Sequence, residues 1–190
     1  MSETPDAVGA PPAAGPAAAE PVAADPVAAA PLAGRTAVVV TCSTRAATGV
    51  YPDRGGALVV ETLRGWGASV PDAVVVADGP AVAHAIEAAI AGHPDLLLTT
   101  GGTGLTPTDR TPEATRAFLT LEVPGIADAI RARGVAHGIP TAVLSRGLAG
   151  LAGRTLVVNL PGSTGGVKDA LEVLAEVVPH ALSQAQGGDH

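Results

Sequence analysis

The sequence has almost no sulfur, almost no aromatic surface and almost no lysine. Its 190 residues include one Cys, one Phe, one Trp and one Tyr, and Lys168 is the sole lysine. A single cysteine, Cys42, excludes an internal disulfide and any cysteine-rich metal site. Its place at the end of an apolar run reads as a small buried residue. With aromatics at 2%, Val, Leu, Ile and Ala have to fill the interior. No stretch reaches the roughly 20 uncharged apolar residues of a membrane span. The N-terminus lacks the basic region and apolar core of a signal peptide. No membrane association and a cytoplasmic location are the expectation. Positive charge is short as well: 11 Lys and Arg stand against 18 Asp and Glu, for a formal net charge of -7. Four of the acids (Glu3, Asp6, Glu20 and Asp25) fall in the first 34 residues, which hold no Lys or Arg, so the rest carries -3. A mildly acidic body argues against nucleic acid as the main ligand, because phosphate-tracking surfaces are basic. A small phosphorylated ligand held by backbone N–H groups, a few Arg and a metal ion stays compatible with it.

What the sequence does have is alanine, proline and glycine. Residues 1–33 are mostly Ala and Pro, with Pro11, Pro12, Pro16, Pro21, Pro26 and Pro31 spaced through them. Prolines at that density block a continuous helix, and no apolar period is visible, so a disordered tail is predicted. It reads either as a solvated extension or as a partner-docking arm. The remainder is long enough for one domain with a real core. It is assigned to residues 34–186, with 187–190 as a flexible end.

Within the domain, apolar runs alternate with helical periods. Gly34 to Cys42 is a β-branched run that predicts a first strand. Leu58, Val59, Leu63 and Trp66 follow at helical spacing, closed by Gly65 and Gly67. Val70 to Ala77 predicts a second strand, and Val82, Ile86 and Ile90 a second helix after Asp78-Gly79-Pro80. Leu96 to Leu98 is the third strand. Short helices are expected near Ala114–Leu119 and after Pro124. Strands are expected at Thr141–Leu144 and Leu156–Leu160. A last helix carries Val167, Leu171, Leu174, Val178 and Leu182 on one face. This β-α-β-α-β order is that of an α/β fold with a mostly parallel sheet, whose ligands sit outside the carboxyl ends of the strands.

The stretch from Asp95 to Arg116, DLLLTTGGTGLTPTDRTPEATR, carries the chemistry. A buried strand runs through Thr99 and Thr100 into Gly101, Gly102 and Gly104, then into a helix start at Thr111-Pro112-Glu113. Thr111 suits the N-cap, Pro112 the first helical position and Glu113 the positive end of the dipole. Strand, glycine loop and helix N-terminus together form an anion site built from backbone N–H groups. Asp109 and Asp78 add carboxylates able to hold Mg2+ beside that anion. The competing structural reading has Asp78 capping its helix and Asp109 closing an Asx-turn.

Other glycine-loop chemistries are excluded. The dinucleotide pattern counted from Gly102 and Gly104 needs glycine where Pro107 stands, and Lys168, between Val167 and Asp169, does not fit a Walker A loop. No G-x-S-x-G elbow occurs. The five histidines have no metal-ligand spacing and read as surface or helix-end residues. What survives is a set of loops at one end of the sheet: Ser43–Arg54, Asp78, Gly101–Asp109, Ser145-Arg146 and Pro161–Gly166.

Thr99-Thr100-Gly101-Gly102-Thr103-Gly104, followed by Asp109 and Thr111-Pro112-Glu113-Ala114-Thr115, resembles the signature of the MogA/MoaB family of molybdenum cofactor biosynthesis. Arg45-Ala46-Ala47 with Gly49-Val50-Tyr51 and Asp53 resembles its first loop. Asp78 falls where the family carries its first functional aspartate. Ser145-Arg146 and Asn159-Leu160-Pro161-Gly162-Ser163 resemble its later segments. The resemblance implies a three-layer α/β sandwich that assembles as a homotrimer. It implies Mg2+-dependent transfer of AMP from ATP to molybdopterin, giving adenylyl-molybdopterin and diphosphate, with a molybdenum insertase as a further partner. Asp78 and Asp109 are then the catalytic and metal-holding pair. Ser43, Arg45, Thr100, Gly101, Gly102, Thr103, Gly104, Ser145, Arg146, Pro161, Gly162 and Ser163 are the substrate- and phosphate-binding set, with Arg54 and Lys168 as further cations. One departure keeps a second branch open. Many catalytic members have Arg directly before the second aspartate. Here Thr108 stands there and Arg110 follows, so a non-catalytic molybdopterin-binding or carrier protein is the alternative.

Overall fold

In the computed structural model, residues 30–188 are described. The strands are β1 (Ala37–Cys42), β2 (Val74–Val76), β3 (Leu96–Thr100), β4 (Leu121–Glu122), β5 (Ala149–Ala152) and β6 (Thr155–Leu160). They form one six-stranded sheet in the order β2-β1-β3-β6-β5-β4. The β1–β2, β1–β3 and β3–β6 pairs are parallel, whereas β5–β6 and β4–β5 are antiparallel. β1, β3 and β6 are the β-branched and leucine runs of the sequence, and near-complete burial along them is what a parallel sheet covered on both faces requires. β2 lies at the sheet edge, and Val74 and Val75 remain exposed.

The alternation of strand side chains sorts the helices into two layers. Val39, Leu96, Leu98, Leu156, Val158 and Leu160 face α2 (Arg54–Gly65), α5 (Pro124–Ala136) and α6 (Thr164–Ala185), which contribute Val59, Leu63, Ile126, Ile130 and the predicted apolar stripe of the last helix. Val40, Cys42, Leu97 and Val157 face α3 (Pro80–Ala91) and α4 (Thr111–Arg116), through Val82, Ile86 and Ala114, with Phe118 just beyond α4. The molecule is therefore a three-layer sandwich. Each fully buried Leu of the central strands contributes roughly 1.5–3 kcal/mol relative to exposure.

Three local expectations are corrected. Thr141–Leu144 is not a strand but part of a 3-10 turn, Pro140–Leu144, in which Val143 and Leu144 are exposed. Pro140 at its first position presets a turn, and no strand partner lies alongside. The strand in that region is β5, whose Ala-Gly-Leu-Ala sequence carries no β-branched residue. Thr111 does not cap α4: Arg110 holds the cap position, and the Thr111 side chain turns into the interior. At the amino end, Leu32 was assigned to the tail, yet it is buried and donates its N–H to Trp66 O at 2.8 Å. The tail reading for residues 1–29 lies outside the described residues. Among the described residues, no helix is long and apolar enough to cross a membrane.

Candidate functional site

From β1 the chain leaves toward β2 on one side, while β3 lies on the other. That switch point opens a crevice beyond the carboxyl ends of β1 and β3. Gly101 and Gly102 bring the two strand ends together there. Both have positive φ (92° and 63°), and a Cβ on Gly101 would run into the Cys42 carbonyl oxygen, one on Gly102 into the Thr111 hydroxyl. Only glycine fits this approach.

Two cavities flank the glycine loop. The first, about 540 Å³, is polar and lies between the ends of β1 and β3, and Ser43, Tyr51, Asp53, Arg54, Asp78, Thr100 and Gly101 line it. The second, about 630 Å³, is more apolar. Ile130, Ile139 and Leu144 form its wall, and Thr103, Gly104, Ser145, Pro161 and Ser163 its floor. Gly102, Asp109 and Gly162 line both. The predicted loops thus meet at one place, and Asp109 stands on the ridge between the two chambers.

The carboxylates are held in different ways. Asp78 accepts from the Thr44 N–H at 2.9 Å and from the Thr44 hydroxyl at 2.8 Å, both through Oδ2. It therefore secures the start of the short helix α1 (Thr44–Ala47) rather than its own helix α3. Asp109 accepts from the Thr106 N–H at 3.1 Å, again through Oδ2. Each thus uses Oδ2 to hold a loop, and its Oδ1 has no hydrogen-bond partner among the described residues. A third acid, Asp53, caps α2 through Gly56 N and accepts from the Thr41 hydroxyl at 2.7 Å. The sequence marks Asp53 only as part of the first loop. Its position directly before Arg54-Gly55-Gly56, at a helix start, was the available signal.

The backbone donors refine the anion site. Gly101 N–H is taken by Leu160 O at 3.3 Å. The N–H groups of Gly102, Thr103 and Gly104 have no acceptor among the described residues. Opposite them, Ser163 caps α6 and accepts from Gly166 N at 3.1 Å. The 22-residue α6 aims its positive end at the junction, with Thr164 on the first cavity and Gly165 on the second.

Three predicted cations lie elsewhere. Arg146 lines neither cavity. Its guanidinium donates to Gly104 O at 2.8 Å and to Asp109 O, and pairs with Glu113. It straps the glycine loop from behind. Partial burial works against the charge of Glu113, but its own backbone N–H and Arg146 outweigh that and hold its carboxyl below the ordinary range. Arg45 is exposed on α1 and Lys168 on α6, and neither lines a cavity. Arg54 does line the first. Ser145 reaches the loop by donating to the Thr103 hydroxyl at 3.3 Å.

Cys42 lies against the first cavity, and burial pushes its thiol up to about 11, with the neighbouring Thr111 hydroxyl opposing the rise and the Asp78 charge adding to it. A buried neutral thiol is inert as a nucleophile. Among the described residues, the one trio of potential metal-ligating side chains within 4.8 Å of one another is His137, Asp169 and Glu172. His137 follows the end of α5, as a helix-end residue, and pairs with Asp169 at 2.7 Å, while Arg133 occupies Glu172 at 2.8 Å. Asp53, Asp78 and Asp109 do not form such a cage.

Comparison with known proteins identifies the family and the fold. The model of a family described as "Probable molybdopterin binding domain" matches residues 38–180. The chain is 42% identical over 159 residues to the molybdenum cofactor biosynthesis bifunctional protein of Synechococcus elongatus, covering 83% of this chain and 50% of that protein. It thus spans half the length of that relative. It is 32% identical over 153 residues to the molybdopterin adenylyltransferase of Helicobacter pylori J99, covering 78% of this chain and 86% of that one. The molybdopterin biosynthesis Mog protein of Mycobacterium ulcerans superposes with a TM-score of 0.76 at 53% identity, over 80% of this chain and 99% of the other. The match over most of the folded part, the shared sandwich and the loops gathered at its switch point together place this chain in the molybdopterin-binding MogA/MoaB family.

Proposed function

We propose that the protein acts in molybdenum cofactor biosynthesis by transferring AMP from ATP to molybdopterin, with release of diphosphate. The observation that carries this reading is the ridge. Asp109 and Asp78 both line the first cavity, each with one carboxylate oxygen engaged in its own loop. Asp109 also borders the second cavity beside Gly102, Thr103 and Gly104, whose N–H groups have no acceptor among the described residues, and Gly165 at the start of α6. Two anions have to meet in this reaction, so positioning and charge neutralisation are most of the catalytic task. The polar cavity takes the nucleotide and the apolar one the pterin ring, so that their phosphates meet at the ridge. The Gly102–Gly104 N–H groups hold a phosphate, and the start of α6 balances charge from the other side. The terminal phosphate of the pterin attacks the α-phosphorus and diphosphate leaves. No side chain serves as nucleophile, in keeping with the neutral Cys42.

The free oxygens of Asp78 and Asp109 suit a hard divalent cation that takes its remaining ligands from phosphate and water. When bound, Mg2+ would neutralise the phosphate oxygens at the junction. Asp78→Ala and Asp109→Asn proteins should still bind molybdopterin, while diphosphate release falls by at least about a hundredfold. Turnover at the wild-type rate in both would remove the carboxylates from the mechanism.

A second reading, a molybdopterin carrier without adenylyl transfer, is favoured by Thr108. Its hydroxyl lies 3.2 Å from that of Thr106, and no Arg of the glycine loop lines either cavity. Pterin binding without ATP consumption would select it. A molybdenum insertase is the further partner that the resemblance implies. Pulldown of a molybdenum insertase by the full chain tests it, and no retention would remove it.

A further inference from the structure

We propose that Tyr51 is the stacking platform for the nucleobase in the polar cavity. This rests on the adenylyl-transfer reading and names the residue that grips the base. The chain holds three aromatic side chains besides histidine. Trp66 packs on one core face and Phe118 on the other. Tyr51 is the exception: it is 45% exposed and lines the first cavity. No Phe, Tyr or Trp lines the second. In a sequence this poor in aromatics, the one π-face open to a ligand stands at the chamber that also holds Asp78 and Asp109.

The loop that carries the ring is tied down on both sides. The Tyr51 hydroxyl lies 3.2 Å from Ser43 Oγ, at the end of β1. On the amino side, Gly49 and Val50 donate to Ala46 O and Arg45 O at 3.0 and 2.9 Å, tying the loop to α1. On the carboxyl side, Asp53 ties it to α2 and to Thr41. The Tyr51 hydroxyl is thus tied to Ser43 and its loop is held on both sides, while the residue stays 45% exposed at the cavity. A pinned aromatic beside a phosphate site loses little freedom when a planar base settles on it. The tie to Ser43 is secondary, since stacking uses the ring and not the hydroxyl.

The test uses the full chain and equilibrium binding, with no turnover required. The probes are ATP with Mg2+ and inorganic tripolyphosphate, which has the charges but no base. Tyr51→Leu should weaken ATP binding roughly ten- to hundredfold and leave tripolyphosphate binding unchanged. Tyr51→Phe should keep ATP binding within about threefold of wild type. Equal ATP affinity in wild type and Tyr51→Leu overturns the stacking proposal. Equal loss of both probes in Tyr51→Leu also overturns it, because the effect would then lie on the phosphate site. Loss of ATP binding in Tyr51→Phe as severe as in Tyr51→Leu assigns the grip to the hydroxyl and overturns it as well. Wild-type protein that binds tripolyphosphate but gains nothing from the base overturns stacking while leaving the phosphate site in place. Wild-type protein that binds neither probe overturns both this proposal and the adenylyl-transfer reading.

Discussion

Asp95 stands at the opposite end of the sheet from the ridge and shows how one carboxylate fixes a strand entry. It accepts from the Thr36 N–H at 2.8 Å, from the Thr36 hydroxyl at 3.1 Å and from Arg35 at 3.3 Å, and Gln186 also reaches it. Partial burial opposes its charge, but the Thr36 hydrogen bonds and the Arg35 charge outweigh it, so the carboxyl is held below the ordinary carboxylate range. A depressed folded pKa means that the contribution is complete above the unfolded value near 4 and is lost as pH falls through the folded one. Asp95→Asn should therefore be less stable than wild type by about 1 kcal/mol at pH 7. The two melting curves should converge as pH drops below about 4. A difference that persists unchanged to pH 2 would contradict this. Sequence inspection placed Asp95 before a strand and gave no sign of its partners, because Thr36 and Gln186 are distant in the chain.

Among elements, β6 is joined to its neighbours by more than the ladder. Asn159 is buried, and its amide donates to Thr99 Oγ1 at 2.9 Å and to Thr115 Oγ1 at 2.8 Å, while its Oδ1 accepts from Leu148 N at 3.3 Å. One side chain thus connects β6, β3, α4 and the approach to β5, directly beneath the glycine loop. Asn159→Ala should cost about 2–4 kcal/mol, since it strands buried hydroxyls as well as removing the amide. Denaturant unfolding measures this, and a loss under about 1 kcal/mol would show that the network is not structural. The central strands were legible because their β-branched and leucine runs have no helical period and are bounded by glycine loops. The strands β4 and β5 were not: one is two residues long, and the other is Ala and Gly at a position dictated by pairing with β6. The Thr111 cap failed for a related reason. The glycine loop folds back onto α4, Thr111 is drawn inward against Gly102 and Cys42, and its hydroxyl has no hydrogen-bond partner among the described residues.

For the whole molecule, the sheet order places the switch between β1 and β3, and the site follows from it. The glycine motif and both aspartates stood out in the sequence because they lie in the strand-to-helix loops that follow β2 and β3. The division into two chambers was not, since the second is walled by α5 and the 3-10 turn, which sequence order separates from the loop. The same region leaves Val135, Ile139, Val143 and Leu144 exposed. An apolar group of that kind supports the homotrimer that the resemblance implies. Light scattering should then give three times the 18.5 kDa chain mass, and a monomer at micromolar concentration would overturn it. The central claim is a reaction at the ridge. The most direct measurement is diphosphate released from ATP by the purified protein with molybdopterin and Mg2+. The account predicts stoichiometric diphosphate and adenylyl-molybdopterin, dependent on both substrates and the metal. Demonstrated pterin binding with no diphosphate would contradict it and leave the carrier reading in its place.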